Sequence, residues 1–174
     1  EHIKTVRLAP KFELPPELSA AERQLNAGTY GAGIKALETH LKKPKSADTE
    51  AAAKAALEKV TKYGTDQLAR AEELGKAREY AEGAEALSAV EKAFKDTALG
   101  DKARAKLDEW KKDKAIKTEL DGGKVLKQAE ALAQAKKYRD AYGLLLGISK
   151  QKKYEGTRVR EVAEERMLGL QRKI

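Results

Sequence analysis

LSAAERQLNAGTYGAGIKAL at residues 18–37 recurs as LARAEELGKAREYAEGAEAL at 68–87 and as LKQAEALAQAKKYRDAYGLL at 126–145. Aligned on Tyr30, Tyr80 and Tyr138, the copies share a leucine twelve residues earlier (Leu18, Leu68, Leu126), an alanine nine earlier (Ala21, Ala71, Ala129) and a glutamate eight earlier (Glu22, Glu72, Glu130). Three residues after each tyrosine stands Gly33, Gly83 or Ala141, and seven after stands Leu37, Leu87 or Leu145. Such agreement in three copies is the mark of a helical repeat array, in which each repeat buries its apolar face against its neighbours. Apolar residues three or four apart (Leu18, Ala21, Leu25; Leu68, Ala71, Leu74; Leu126, Ala129, Leu132) form a stripe on the first helix of each hairpin. Polar residues at 26–29, 76–79 and 136–137 mark the turn, and the second helix opens on the tyrosine. Its small residue lets two helices approach closely, and its leucine fills the space between them.

The composition fits an all-α chain. Charged residues make up 37% of the 174 residues and aromatics 5%, which leaves little material for strands. No apolar run approaches the roughly 18 residues that a membrane-spanning helix needs. The absence of cysteine excludes a disulfide framework, a thiol nucleophile and a cysteine metal site. Residues 1–16 read as an extended lead-in or linker: Ile3, Val6 and Leu8 loosely alternate, and Pro10, Pro15 and Pro16 interrupt any helix. Residues 17–174 read as the helical repeat domain. The opening Glu1 is expected of a processed chain or of a fragment of a longer one.

The residues carried by the anchors resemble the tetratricopeptide repeat family. That family pairs a small residue in its first helix with an aromatic, then a small residue three on, then a large apolar residue four further in its second helix. Here these are Ala21, Tyr30, Gly33 and Leu37; Ala71, Tyr80, Gly83 and Leu87; and Ala129, Tyr138, Ala141 and Leu145. The resemblance implies an α-solenoid of about three helical hairpins that binds other proteins. The anchors lie 50 and 58 residues apart, against about 34 in that family, and the family's closing proline is missing. The connecting helices are therefore expected to be lengthened.

The extra length can be placed. Asp48-Thr49, Asp96-Thr97 and Gly156-Thr157 each look like the cap of a further helix, and each Thr is followed six residues later by Ala55, Ala103 or Ala163. Helical patterning then runs on to Tyr80 and to Tyr138. Either one helix continues through, or it breaks at Gly64 and at Gly122-Gly123; the cost of a helical glycine, about 1 kcal/mol, does not decide between them. The reading favoured for residues 99–136 is one long, bent helix of about 55 Å.

Candidate binding residues follow from the repeat. Glu22, Glu72 and Glu130 lie one residue beyond the packed alanine, which in the resembled family faces the concave groove. They are either a solvated helix face or a row of carboxylates for a basic or amine-bearing ligand. That family's basic clamp for a C-terminal carboxylate has no counterpart, since the neighbouring positions hold Leu18, Leu68 and Leu126. Tyr30, Tyr80 and Tyr138, with Leu37, Leu87 and Leu145, read as packing elements. Trp110 reads as packing too, with an exposed partner contact as the alternative.

The net charge of +8 raises nucleic-acid binding. Lysine clusters at Lys42, Lys43 and Lys45, at Lys111, Lys112 and Lys114, and at Lys150, Lys152 and Lys153 lack aromatic stacking partners, and lysines suit helix C-termini on dipole grounds alone. Weak adhesion to polyanions or an anionic surface is the lesser alternative, and specific recognition is not expected. Nothing assembles a catalytic, cofactor or metal site. His2 stands in the lead-in and His40 in a solvated helix end. Gly28, Gly31 and Gly33 follow no strand, and Gly122-Gly123-Lys124 lacks the Ser or Thr of a phosphate loop.

The expectation is thus a non-catalytic protein-interaction or scaffolding module of three tetratricopeptide-like hairpins, with no cofactor and an unidentified protein or peptide partner. The alternative is a structural or regulatory appendage to an upstream enzyme. The Tyr-x-x-small-x-x-x-Leu pattern is similar to repeat tails that follow thioredoxin-like domains in some extracytoplasmic bacterial proteins, which implies an extracytoplasmic location. An apolar end at Leu168, Leu170 and Ile174 allows self-association.

Overall fold

The computed structural model describes residues 9–174, and over them it is all-helical, with no strand. The lead-in features at His2, Ile3, Val6 and Leu8 lie outside the described residues. Eight α-helices follow one another: α1 (Ser19–Asn26), α2 (Tyr30–Leu41), α3 (Ala47–Lys76), α4 (Tyr80–Ala93), α5 (Ala98–Lys112), α6 (Lys114–Gln134), α7 (Tyr138–Lys150) and α8 (Arg158–Gln171). Short 3-10 turns at Pro16–Leu18 and Lys152–Tyr154 precede α1 and α8. The described chain divides into two compact units, one reaching to Arg70 and including Ala86–Ala105, the other made of Ala71–Glu85 and Lys106–Ile174.

Each anchor tyrosine is the first residue of its helix, α2, α4 or α7. The turn before it is the same three times. Two residues ahead of the tyrosine the backbone is left-handed, at Gly28 (φ 77°), Arg78 (φ 62°) and Lys136 (φ 61°). The following N–H reaches back five residues in every copy: Thr29 to Gln24 O, Glu79 to Leu74 O and Lys137 to Leu132 O, at 3.0, 2.8 and 2.8 Å. This satisfies carbonyls that the helix end would leave unpaired, and it reverses the chain within three residues.

In the first unit α1 packs on α2. Leu25 and Leu37 are fully buried there, each contributing about 1.5–3 kcal/mol. A methyl on Gly33 would stand 2.5 Å from Leu25 Cδ2. The helix-propensity loss of that glycine, about 1 kcal/mol, is therefore outweighed by the leucine burial that it permits. Tyr30 lies 5.0 Å from the Phe94 ring and 5.4 Å, edge-on, from Tyr63. Phe94 with Leu99 covers Gly64, where an added methyl would meet Phe94 Cζ at 2.6 Å and Leu99 Cδ1 at 2.7 Å.

The second unit repeats that arrangement with different residues. Here α6 and α8 both pack on α7, around Leu126, Ala129, Ala141, Leu145, Ile148, Tyr154, Val159 and Ala163. Gly122 lies under Val159 and Tyr154 as Gly64 lies under Leu99 and Phe94. Both glycines stand sixteen residues before an anchor, and both aromatics stand three before a threonine.

Those threonines cap as expected. Thr97 Oγ1 donates to Phe94 O and accepts from Gly100 N–H, while Thr157 Oγ1 donates to Tyr154 O and accepts from Arg160 N–H. Thr49 does not cap. It lies inside α3, which starts at Ala47 because Ser46 Oγ accepts the Thr49 N–H at 3.2 Å. The earlier start turns Ala53, Ala56 and Val60 inward, and Ala55 is exposed.

One open alternative about the long helices is decided, and one expectation is corrected. Neither Gly64 nor Gly122-Gly123 breaks a helix; they lie within α3 and α6, where the missing side chain admits an aromatic or, at Gly123, Ala81. The first connection is a single 30-residue helix, α3. The stretch 99–136 is two helices, not one. Asp113 turns extended (ψ 121°), and its Oδ1 accepts the N–H groups of Ala115 and Ile116 at 2.8 and 3.0 Å. A capping carboxylate at a helix N-terminus suffices to end one helix and start the next.

Candidate functional site

The three candidate glutamates have unlike surroundings. Glu22 on α1 is half-buried and belongs to the first unit; Glu72 on α3 and Glu130 on α6 are exposed and belong to the second. Glu130 is engaged: Arg166 Nη1 of α8 donates to its Oε2 at 3.4 Å and to Leu126 O at 3.5 Å. A cationic ligand at Glu130 has to compete with that guanidinium.

The packing residues are deeply placed. Leu37, Leu87 and Leu145 are 0–1% exposed and Tyr30 is 4%; Tyr80 and Tyr138 are half-buried. Burial and the neighbouring Tyr63 hydroxyl push the Tyr30 phenol above its usual 10.0, as expected where the charged form is the one penalised. Trp110 is 3% exposed and meets Tyr80 edge-on at 5.2 Å. Gly75 and Gly83 make room for its indole, so the exposed-contact alternative for Trp110 does not hold. His40 also departs from expectation, since its Nε2 is buried without a hydrogen-bond partner among the described residues. Of the apolar end, Leu168 and Ile174 are exposed and Leu170 is buried.

The lysine clusters are exposed and lie at or just beyond the C-terminal ends of α2, α5 and α7, where the helix dipole favours cations; Lys114 is the exception, as the first residue of α6. A denser basic patch went unremarked in the sequence. Lys136, Lys137, Arg139 and Lys173 border an open cleft of about 370 Å³ with Asp140 as its only acid, and Lys173 Nζ lies 5.5 Å from the Tyr138 ring centroid. Among the described residues no group of three or more His, Cys, Asp or Glu side chains could hold a metal ion. No described helix is long and apolar enough to cross a membrane.

Two further constellations escaped the sequence reading. Glu119 of α6 is 5% exposed. Its carboxylate accepts the first two N–H groups of α8, Arg158 at 2.8 Å and Val159 at 3.0 Å, and it meets Arg78 Nη2 at 3.2 Å. Arg78 donates as well to Gly156 O at 2.7 Å. The carboxylate thus ties α6, α8 and the turn before α4 together, using the positive end of the α8 dipole. The second lies at Phe12, which is 4% exposed. Asn26 Oδ1 accepts the Phe12 N–H and Asn26 Nδ2 donates to Phe12 O, both at 2.9 Å. Only the identity of these residues was legible beforehand, since their partners are distant in the chain.

Comparison with protein-family models, with curated proteins and with solved structures found no match for this chain.

Proposed function

We propose that this chain is a non-catalytic interaction or scaffolding module, built as a tetratricopeptide-like α-solenoid of three repeats. The observation that carries the reading is the threefold recurrence of one backbone turn, left-handed two residues before each tyrosine and closed by the same hydrogen bonds, with unrelated side chains in it. Repetition at the level of conformation is what a stacked array requires. After each hairpin a further helix starts from a hydroxyl cap, at Ser46, Thr97 or Thr157, which accounts for a repeat longer than the family's. Grooves formed by packed helices accept a partner with little ordering cost.

The carboxylate column is the test. The chain is immobilised, partners are captured from an extract of its source, and the capture is repeated with Glu22→Ala, Glu72→Ala and Glu130→Ala combined. A control carries three glutamates replaced elsewhere, at Glu38, Glu109 and Glu155. Partners retained by the wild type and the control, and lost from the column variant, support the module. Capture that is unchanged by the column variant, or absent altogether, overturns it.

A further inference from the structure

The described chain begins with a segment that is itself held like a ligand. Residues 9–15 form no helix, and Phe12 in their middle is 4% exposed. One carboxamide, that of Asn26, bonds both backbone groups of this residue at 2.9 Å. Lys59 Nζ of α3 donates to the Lys11 carbonyl at 2.6 Å and stands 5.0 Å from the Phe12 ring centroid. On either side Lys11 and Glu13 are exposed, and Leu14 is half-buried.

A carboxamide offers one acceptor and one donor in a fixed plane. Paired with the N–H and C=O of a single residue, it grips extended backbone whatever the side chain, as a sheet edge grips an added strand. Selection then falls to the buried ring and to the ammonium above its face. We propose that Asn26, Lys59 and the space filled by Phe12 form a peptide-binding site, occupied in cis by residues 11–13. Its intended occupant is an extended segment of a partner protein with the chemistry of residues 11–14: a free side chain, a phenylalanine, a free side chain and an apolar residue. The segment in cis is autoinhibitory. A short tether gives it an effective concentration on the order of millimolar, so a partner segment succeeds only by matching the site better or by arriving at high local concentration.

The proposal takes the interaction-module reading one step further and rests on it for the existence of a partner. Its test does not pass through the glutamate column, so either can fail while the other stands. A fluorescein-labelled peptide spanning residues 9–15 is titrated into the full chain and into the full chain carrying Phe12→Ala, with anisotropy as readout and circular dichroism to check that each variant is folded. The Phe12→Ala chain is expected to bind the peptide at least tenfold more tightly than the wild type, because its own segment no longer competes. Adding Asn26→Ala is expected to remove that gain. On the ligand side, N-methylation of the peptide's phenylalanine removes the donor that Asn26 accepts and is expected to cost fivefold or more, with no change to the protein. Equal binding to wild type and Phe12→Ala, or full tolerance of the N-methyl group, overturns the proposal. A wild-type chain that dimerises with concentration, and loses the dimer on Phe12→Ala, assigns the site to a second copy's segment and overturns the partner assignment.

Discussion

Replacing Glu119 by alanine tests whether the buried carboxylate holds α8 in place. The change removes the acceptor for two backbone N–H groups, on Arg158 and Val159, and for the Arg78 guanidinium. Hydrogen bonds to a charged group are worth about 1.5–3 kcal/mol each, so the two backbone bonds amount to roughly 3–6 kcal/mol. The Arg78 side chain is 47% exposed, and water screens it, which holds its share below about 1 kcal/mol. The net expectation is a loss of about 3 kcal/mol, at the low end for breaking a buried pair. Urea unfolding followed by circular dichroism at 222 nm measures it. Arg78→Ala is expected to cost under about 1 kcal/mol, and the double variant should lie within about 1 kcal/mol of Glu119→Ala alone, since the pair is lost in both and only the Arg78–Gly156 bond differs. A Glu119→Ala chain within about 0.5 kcal/mol of wild type would refute the reasoning, because surface substitutions commonly fall in that range.

Glycine-to-alanine changes should have opposite signs at two helical positions. At Gly122 the new methyl meets Val159 Cγ1 at 2.4 Å and Tyr154 Cε1 at 2.9 Å, which costs about 1–3 kcal/mol; at Gly143 nothing lies within 4 Å, and up to about 1 kcal/mol is gained. Urea midpoints that shift in the same direction contradict this. Lys136→Gly relieves a left-handed residue that is exposed and should stabilise by about 0.5–1 kcal/mol, the steric relief less the entropy of glycine; a lower midpoint sinks the claim. Because the Tyr30 pKa is raised by burial first and by Tyr63 second, the stability it contributes is complete below pH 10 and is lost as pH rises toward the folded value. Wild type should therefore lose stability relative to Tyr30→Phe as pH rises above 10, and parallel losses in the two chains would contradict it.

What could be read in advance was local and periodic. The tyrosine helix starts, the turns, the inward leucines and the caps at Thr97 and Thr157 all show in spacing, because neighbours within a helix or a turn are also neighbours in sequence. The errors arose where near-equivalent local signals compete. Ser46 and Thr49 are both good caps, and the one whose oxygen reached the third N–H started the helix. Asp113 sat in a run of lysines that reads as helix interior, and the propensity cost of Gly122-Gly123 could not by itself decide between a break and the contact surface that they form. Glu119 resembles any solvated helix glutamate, since its partners lie 39–41 residues away. In the same way Asn26 reads as a turn residue, and only the folded chain brings Phe12, fourteen residues earlier, against its carboxamide.

The left-handed residue ahead of each tyrosine also makes a set of addressable positions. Carbonyl and amide partners close the turn without help from the side chain, so the side chain is available for other work. At residue 28 there is none, and the space is open. At 78 an arginine reaches across to Gly156 and Glu119, and at 136 a lysine points into solvent. A spin label or cross-linker attached at position 136 would therefore report on the turn before α7 without disturbing a helix or the core, and position 78 shows that a side chain launched from this slot can span to another helix.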